Sequence, residues 1–231
     1  MTQVFDMEPA FLSLWDQCRT QTMTSIERGY ALFKAVEHIA ATAIPGAFAE
    51  CGVWRGGSAM LIALSAQHFG VGDRAIWLYD TFDGMTPPTD ADQQAMTGRS
   101  AAAILAGNAR DTDNPFWGVA PRDVVAANMA KTFYPAHLVH LVEGDVLDTL
   151  PAHAPGTIAL LRLDTDWYES TAHELATLYP RLSPGGVLII DDYGYWSGAR
   201  KAVDDYFAAL GAARPMLQRI DFTGRIAIKL T

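Results

Sequence analysis

Cysteine is scarce in this sequence, and that scarcity excludes two classes at once. Cys18 and Cys51 are the whole complement in 231 residues. Two are too few for a disulfide framework, and no CxxC or HxxxH spacing accompanies them to make a zinc site. Both are expected to be reduced thiols of a cytoplasmic protein. Basic residues are in the minority: 17 Lys and Arg against 26 Asp and Glu leave a formal net charge of −9. An acidic surface argues against nucleic acid and anionic membranes as partners. No apolar run reaches the ~18–20 residues that span a bilayer. The opening MTQVFDMEPAF lacks the basic and apolar regions of a signal peptide. Repeats, low-complexity runs and linker-like shifts of composition are missing as well. What is present is a chain that is 50% hydrophobic, enough for a sizeable core and expected to form one domain over 1–231.

The stretch ALLRLDTDWYESTAHELATLYPRLSPGGVLIIDDY, residues 159–193, organises the rest. Two apolar runs, Ile158–Leu163 and Gly186–Ile190, each end in a carboxylate pair: Asp164 with Asp166, and Asp191 with Asp192. Continuous apolar runs bounded by turn residues suit buried strands of a parallel sheet. The segment between them is long enough for one helix, closed by the turn signal Ser183-Pro184-Gly185-Gly186. Strand, helix and strand make a right-handed βαβ unit, so both carboxylate pairs emerge at the edge where open α/β sheets bind ligands. Converging acids repel one another unless a cation lies between them, and a hard divalent ion, Mg²⁺ in preference to Ca²⁺, is the simplest one. The plainer alternative is that Asp191 and Asp192 are solvated turn or cap residues.

Upstream, AFAECGVWRGGSA reads as strand, glycine turn and helix. Gly52 permits a tight turn, while Gly56 and Gly57, followed by Ser58, would let a ligand approach the main chain at a helix N-terminus. The spacing is not G-x-G-x-x-G. Glu50 would repel a pyrophosphate but suits a cationic amine or sulfonium. The next strand, Ala75–Tyr79, ends in Asp80, where a ribose diol is usually gripped. The third, Leu138–Val142, runs into Glu143-Gly144-Asp145-Val146. There Gly144 permits close approach and Asp145 could bond an adenine amino group or simply make a turn.

Residues 1–43 read as an N-terminal helical segment, with Ser25 or Thr24 as the cap of its second helix. Its apolar Phe11, Leu14 and Trp15 could pack on the domain or on a second subunit, and self-association into a homo-oligomer is expected. Periodicity fades over 84–135, an insertion at the ligand edge that suits a lid or substrate wall. Short helices are expected within it at Arg99–Asn108 and Arg122–Phe133. Ser197–Leu210 is amphipathic, and Met216–Phe222 with Arg225–Leu230 reads as an antiparallel hairpin turning at Thr223-Gly224.

Taken in order, the blocks TMTSIERGYAL, FAECGVWRGGSA, LYDTFDGM, EGDVLDTLP, LRLDTDWYEST and LSPGGVLIIDDYG resemble the macrocin O-methyltransferase (TylF) family from about Thr20 to the end. These are class I S-adenosylmethionine-dependent enzymes that methylate sugar hydroxyls of natural products. The resemblance implies a Rossmann-like α/β fold: a seven-stranded, mostly parallel sheet with a C-terminal antiparallel hairpin and helices on both faces. It implies that Met23, Arg28, Glu50, Gly52, Asp80, Gly144 and Asp145 surround the cofactor, and Gly56, Ser58 and Val146 of the same turns are expected to bind it as well. It implies that Asp164, Asp191 and Asp192 hold Mg²⁺, with Asp166 as general base, and that the partner is a small-molecule hydroxyl acceptor. Three rivals use parts of the same pattern. A metal-dependent catechol or phenol methyltransferase would use the same acids, a nicotinamide oxidoreductase the glycine turn with Asp80, and a non-catalytic adenosine-ligand binder the pocket alone.

Overall fold

A computed structural model describes residues 6–230; the remaining ends of the expected 1–231 domain, including the first five residues of the opening MTQVFDMEPAF, lie outside the described residues. The described strands form one seven-stranded sheet in the order β3-β2-β1-β4-β5-β7-β6. They are β1 (Ala47–Cys51), β2 (Ile76–Asp80), β3 (Val139–Glu143), β4 (Ile158–Leu163), β5 (Leu182–Ile190), β6 (Gln218–Arg219) and β7 (Arg225–Ile228). The first five run parallel, and β7 pairs antiparallel with β5 and β6. The expected fold is therefore the observed one, with a hairpin shorter than its alternating residues suggested.

Strand alternation divides the apolar residues between two cores, as a sheet buried on both faces requires. Phe48, Leu78, Leu160 and Ile189 face a layer built from α1 (Pro9–Cys18), α2 (Ile26–Ala41), α3 (Gly57–His68) and α5 (Arg122–Ala130). Ala49, Tyr79, Leu161 and Ile190 face the opposite layer, built from α6 (Val146–Thr149), α7 (Tyr168–Leu178) and α8 (Ser197–Ala209). The remaining helix, α4 (Ala101–Ala106), belongs to a third cluster inside the insertion. Among the described residues no helix is long and apolar enough to cross a membrane.

Local chemistry sets several boundaries. Ser25 is the cap of α2, its hydroxyl accepting the Arg28 N–H at 3.1 Å. Ser100 caps α4 in the same way through the Ala103 N–H. Ser183-Pro184-Gly185-Gly186 does not close the helix as expected; it lies inside β5. Ile158 pairs with Leu182 but Leu160 with Val187, so β5 carries extra residues there. Proline has no N–H to give a ladder, and Gly185 sits at φ +80°, so the same residues that make turns make this bulge.

The N-terminal apolar residues also have a definite place. Phe11, Trp15 and Cys18 share one face of α1 and are buried against α2 and α3. Burial pushes the Cys18 thiol up to about 12, so it behaves as a small apolar group. Gly29 in α2 is glycine for this reason: a Cβ there would lie 2.5 Å from the Trp15 ring. Leu14 is half-buried at the edge of the same cluster. Of the two packing options open to these residues, Phe11 and Trp15 take the domain's own core. Trp15→Ala is therefore expected to cost ~3–5 kcal/mol of stability, read as a denaturant midpoint that does not move with protein concentration. A midpoint that climbs with concentration would mean that this face packs across subunits instead.

Candidate active site

The parallel register carries four strand ends to one line. Cys51 is level with Tyr79 and Leu163, and Leu163 with Ile190. The ladder continues one residue further: Gly52 N–H bonds Tyr79 C=O at 2.9 Å, Asp164 N–H bonds Cys51 C=O at 2.8 Å, and Asp191 N–H bonds Leu163 C=O at 2.9 Å. Gly52, Asp80, Asp164 and Asp191 thus stand side by side on the floor of a cleft of about 390 Å³. The cleft lies at the C-terminal edge, where strand order reverses about β1, the usual ligand position of open α/β sheets. Gly144, Asp145 and Val146 line one end, Met23, Thr24 and Arg28 another, and Met85, Thr86, Pro115 and Phe116 line the cleft from the insertion.

Asp80 shapes the glycine turn as well as lining the cleft. Its carboxylate accepts the N–H groups of Val53 (2.7 Å), Trp54 (3.1 Å) and Phe82 (2.8 Å). Burial pushes its pKa up, and these three N–H groups pull against that shift. Trp54 and Phe82 both have positive φ, at 47° and 53°, so one carboxylate holds two strained turns in place. Gly52 is at φ +80°, and a Cβ there would lie 2.0 Å from the Asp164 carbonyl oxygen. Asp145 caps α6 through the Leu147 N–H at 2.9 Å while facing the cleft.

Beneath the floor lies a cation hidden within an apolar run. Arg162 is 2% exposed and sits level with Glu50 on the neighbouring strand. Its guanidinium reaches Glu50 at 2.5 Å, Asp164 at 2.8 Å and Asp191 at 2.7 Å. Burial works against its charge, and Asp164, Asp191 and Glu50 more than reverse that, so its pKa stays well above its ordinary value. Burial drives Glu50 towards neutrality, while Arg162 and the Ser58 hydroxyl at 2.5 Å oppose the drift. Arg28 approaches Asp191 from the other side, pairing with it and, at 3.0 Å, with Asp221.

The carboxylates that converge are Asp164, Asp166 and Asp192, each offering an oxygen within 4.8 Å of the others. Asp191 stands next to them but is occupied by the two arginines and, at 3.4 Å, by the Thr24 hydroxyl. Burial lifts all three converging acids. Asp166 is pushed up to about 7, by burial first and by Asp164 and Asp191 beyond that. Asp164 and Asp192 lie well above the usual carboxylate range because each is half-buried and partly withdrawn from water beside other acids. Three hard oxygen donors with unfavourable mutual repulsion fit a hard divalent cation. Behind them Glu174 of α7 is wholly buried; its Oε2 accepts the Thr165 hydroxyl at 3.1 Å, and its Oε1 has no partner among the described residues. Burial pushes Glu174 up to about 8, which makes it a neutral acid at pH 7.

The residues picked out from the sequence therefore separate into two shells. Met23, Arg28, Gly52, Asp80, Gly144, Asp145, Val146 and all four cleft aspartates line the cavity. Glu50, Gly56 and Ser58 do not; they lie behind its wall. Glu50 faces Arg162 because strand alternation turns it into the layer beneath α3, and the expectation that it meets a cationic ligand is corrected on that ground. Gly56 packs on Val125 and Gly57 on the Gln21 backbone, so these glycines admit protein neighbours to the turn. Arg162 and Glu174 escaped the sequence reading. A lone arginine inside an apolar run was the signal for the first, since a buried cation needs an acid on a neighbouring strand. Glu174 left no signal beyond a helical position.

Comparison with known proteins fits this geometry. The family described as Macrocin-O-methyltransferase (TylF) matches residues 15–227. The 8-demethyl-8-(2,3-dimethoxy-alpha-L-rhamnosyl)-tetracenomycin-C 4'-O-methyltransferase of Streptomyces olivaceus is 35% identical over 223 residues, covering 95% of this chain and 79% of that protein. The demethyldecarbamoylnovobiocin O-methyltransferase of Streptomyces niveus is 32% identical over 85% of this chain and 71% of its own length. Among solved structures the O-methyltransferase NovP superposes with a TM-score of 0.77 at 31% identity, covering 91% of this chain and 83% of that one.

Two stability measurements check the buried network. Arg162→Met should cost ~3–5 kcal/mol in urea unfolding, because it strands buried acids without a counter-charge. For Glu174, a folded pKa of about 8 against an ordinary 4.5 means that the fold holds its proton more tightly than the unfolded chain. Its contribution is complete below about 4.5 and is lost as pH rises through about 8, a span of up to ~5 kcal/mol. Glu174→Gln should remove that dependence, so its stability relative to the wild type should climb steadily from pH 5 to pH 8.

Proposed function

This chain belongs to the macrocin O-methyltransferase family, and on that premise we propose that it transfers the methyl group of S-adenosylmethionine to a sugar hydroxyl of a glycosylated natural product, in a Mg²⁺-dependent reaction. The observation that carries this reading is the shared cleft: the Gly52–Asp80–Asp145 edge and the Asp164–Asp166–Asp192 cluster open onto one cavity. A hydride-transfer enzyme needs the first of these and has no use for the second. The relatives support the acceptor class, since one is named for a rhamnosyl tetracenomycin and another for demethyldecarbamoylnovobiocin.

In this reading Gly52, Asp80, Gly144, Asp145 and Val146 form the nucleoside end, and Met23 and Arg28 close the cofactor's other end. S-adenosylmethionine supplies an electrophilic methyl on a positively charged sulfur, and Mg²⁺ supplies a hard charge that acidifies and orients a hydroxyl. Asp164 and Asp192 would hold the ion; Asp191, their neighbour in the row, is the further ligand that the family resemblance adds. Asp166 accepts the hydroxyl proton as the oxygen takes the methyl group. A base with a pKa of about 7 suits that task, because it is available at neutral pH and still basic enough to draw the proton. Pro115 and Phe116 give an apolar face to a sugar ring or its aglycone.

Calorimetric titration with S-adenosylhomocysteine, with NAD as the control, tests the cofactor. Binding of the first and none of the second is expected, and the reverse result would move the chain to the oxidoreductase reading. Turnover of a glycoside carrying a free sugar hydroxyl should stop in chelator and return with Mg²⁺. Preference for a catechol over every glycoside would overturn the acceptor class. Asp166→Asn should lower kcat by ~10²–10⁴-fold while leaving S-adenosylhomocysteine binding intact by the same calorimetry.

A further inference from the structure

The backbone at Asp166 is held in an unfavourable shape. Its φ is +68°, and the Trp167 N–H closes on the Thr165 carbonyl at 2.8 Å, a turn one residue wide. Turns of this kind with positive φ at a non-glycine residue are strained and persist only where the surroundings over-determine them. The next two residues open α7, and that helix has no cap of its own, since Trp167 at the cap position makes no side-chain bond to the first turn.

The missing cap comes from the insertion. Asp92 is 0% exposed, and its Oδ1 accepts the N–H of Tyr168, the first residue of α7, at 2.8 Å. Its Oδ2 accepts the Thr89 N–H at 2.7 Å and the Thr89 hydroxyl at 2.9 Å, which fixes the carboxylate's orientation. Six residues earlier, the Thr86 carbonyl accepts the Trp167 indole N–H at 3.0 Å. The fit leaves no slack: a Cβ on Gly198, in the first turn of α8, would lie 1.8 Å from Asp92 Oδ1 and 3.0 Å from Tyr168 N. Behind the contact, Trp167 and Trp196 pack edge to face at 5.0 Å with Ala101, Ile104 and Leu105 of α4.

We propose that Asp92 is a positioning residue for the methyl-transfer reaction: as a helix cap supplied from the insertion, it holds the start of α7 and so keeps the strained Asp166 turn aimed into the cleft. The segment over the cleft is thus part of the apparatus that presents the proton acceptor, besides being a wall for the acceptor molecule. Geometry sets the size of the effect, because a displacement of about 1 Å of a reacting group can cost on the order of 10²-fold in rate. A carboxylate at a helix N-terminus is also a favoured partner of the helix dipole. The proposal rests on the assignment of Asp166 as proton acceptor.

Proline offers a test that leaves Asp92 untouched. Tyr168 is the first helical residue, where proline is tolerated, and Trp167 before it is already extended at φ −92°, ψ 158°, as a residue preceding proline requires. Tyr168→Pro replaces the N–H that Asp92 accepts with a ring carbon that turns the carboxylate away, and Tyr168→Ala keeps the N–H while losing the same phenol ring. Steady-state kinetics, S-adenosylhomocysteine calorimetry and amide hydrogen exchange of the 165–170 segment are compared for these two, for Asp92→Ala, for Asp166→Asn and for the double variant Asp92→Ala/Asp166→Asn. The expected result is a kcat about 10–100-fold lower in Tyr168→Pro than in Tyr168→Ala, with the KM of the acceptor and the cofactor affinity little changed. Asp92→Ala should show the same kcat loss and faster exchange confined to the segment, and the double variant should be no slower than Asp166→Asn alone. Equal kcat in Tyr168→Pro and Tyr168→Ala, or losses that multiply in the double variant, would overturn the positioning role. Full activity in Asp166→Asn would instead sink the assignment of the proton acceptor, and the proposal with it.

Discussion

A single buried guanidinium underlies the cleft. Arg162 lies within the apolar run of β4, yet it contacts acids on or just beyond three strands: Glu50 on β1, Asp164 after β4 and Asp191 after β5. Removing such a charge from water is expensive, and only a surrounding set of carboxylates makes it tolerable. The dependence also runs the other way. Four aspartates on one sheet edge would force one another apart or protonate, and Arg162 from below with Arg28 from the side neutralise Asp191 and part of Asp164. That leaves Asp166 and Asp192 as the cluster's least compensated members, on the open side of the cleft. The ion-pair network thus divides four similar residues into two environments, one anchored to the fold by arginines and one open to the cleft.

Backbone strain follows the same map. Trp54, Phe82 and Asp166, all with positive φ, each come within a few residues of the C-terminal end of a parallel strand at the cleft. Each strained turn is tied down by a carboxylate: Asp80 for the first two and Asp92, through Tyr168, for the third. Strain of this kind costs ~1–3 kcal/mol per residue, and it is kept where a side chain must project from an edge that regular ladder geometry would leave flat. The insertion serves the same end. Its small aromatic core of Trp167, Trp196 and α4 bolts it to the starts of α7 and α8, so the residues flanking both acidic pairs are held from above as well as by the sheet.

Much of the architecture was legible from local patterns, because those patterns are themselves the physical cause. Continuous apolar runs mark the buried strands, Ser25 is one of two residues that suit the start of α2, and alternation near the C-terminus marks the hairpin. The SPGG segment signals a turn, and the structure makes it a bulge within β5. Proline and glycine mark a break in the ladder, but whether the chain reverses there or continues depends on the strand alongside, which for β5 is β4 on one side and β7 on the other.

The chain's own residues determined that carboxylates and glycines would gather at one edge of a parallel sheet, since strand polarity and apolar run length dictate where each run ends. Tertiary structure alone decided which of those residues line the cleft. Glu50 and Ser58 belong to the same local motif as Gly52, yet strand pairing turns them towards Arg162. Asp191 is the sequence neighbour of Asp192, but Arg28, brought from α2, separates their surroundings. Asp92 carried no sequence signal, because its role exists only where an insertion, a helix start and the close approach of Gly198 meet. Long-range contacts between charges and hydrogen-bond donors leave no local periodicity, so they were readable only once the chain had folded.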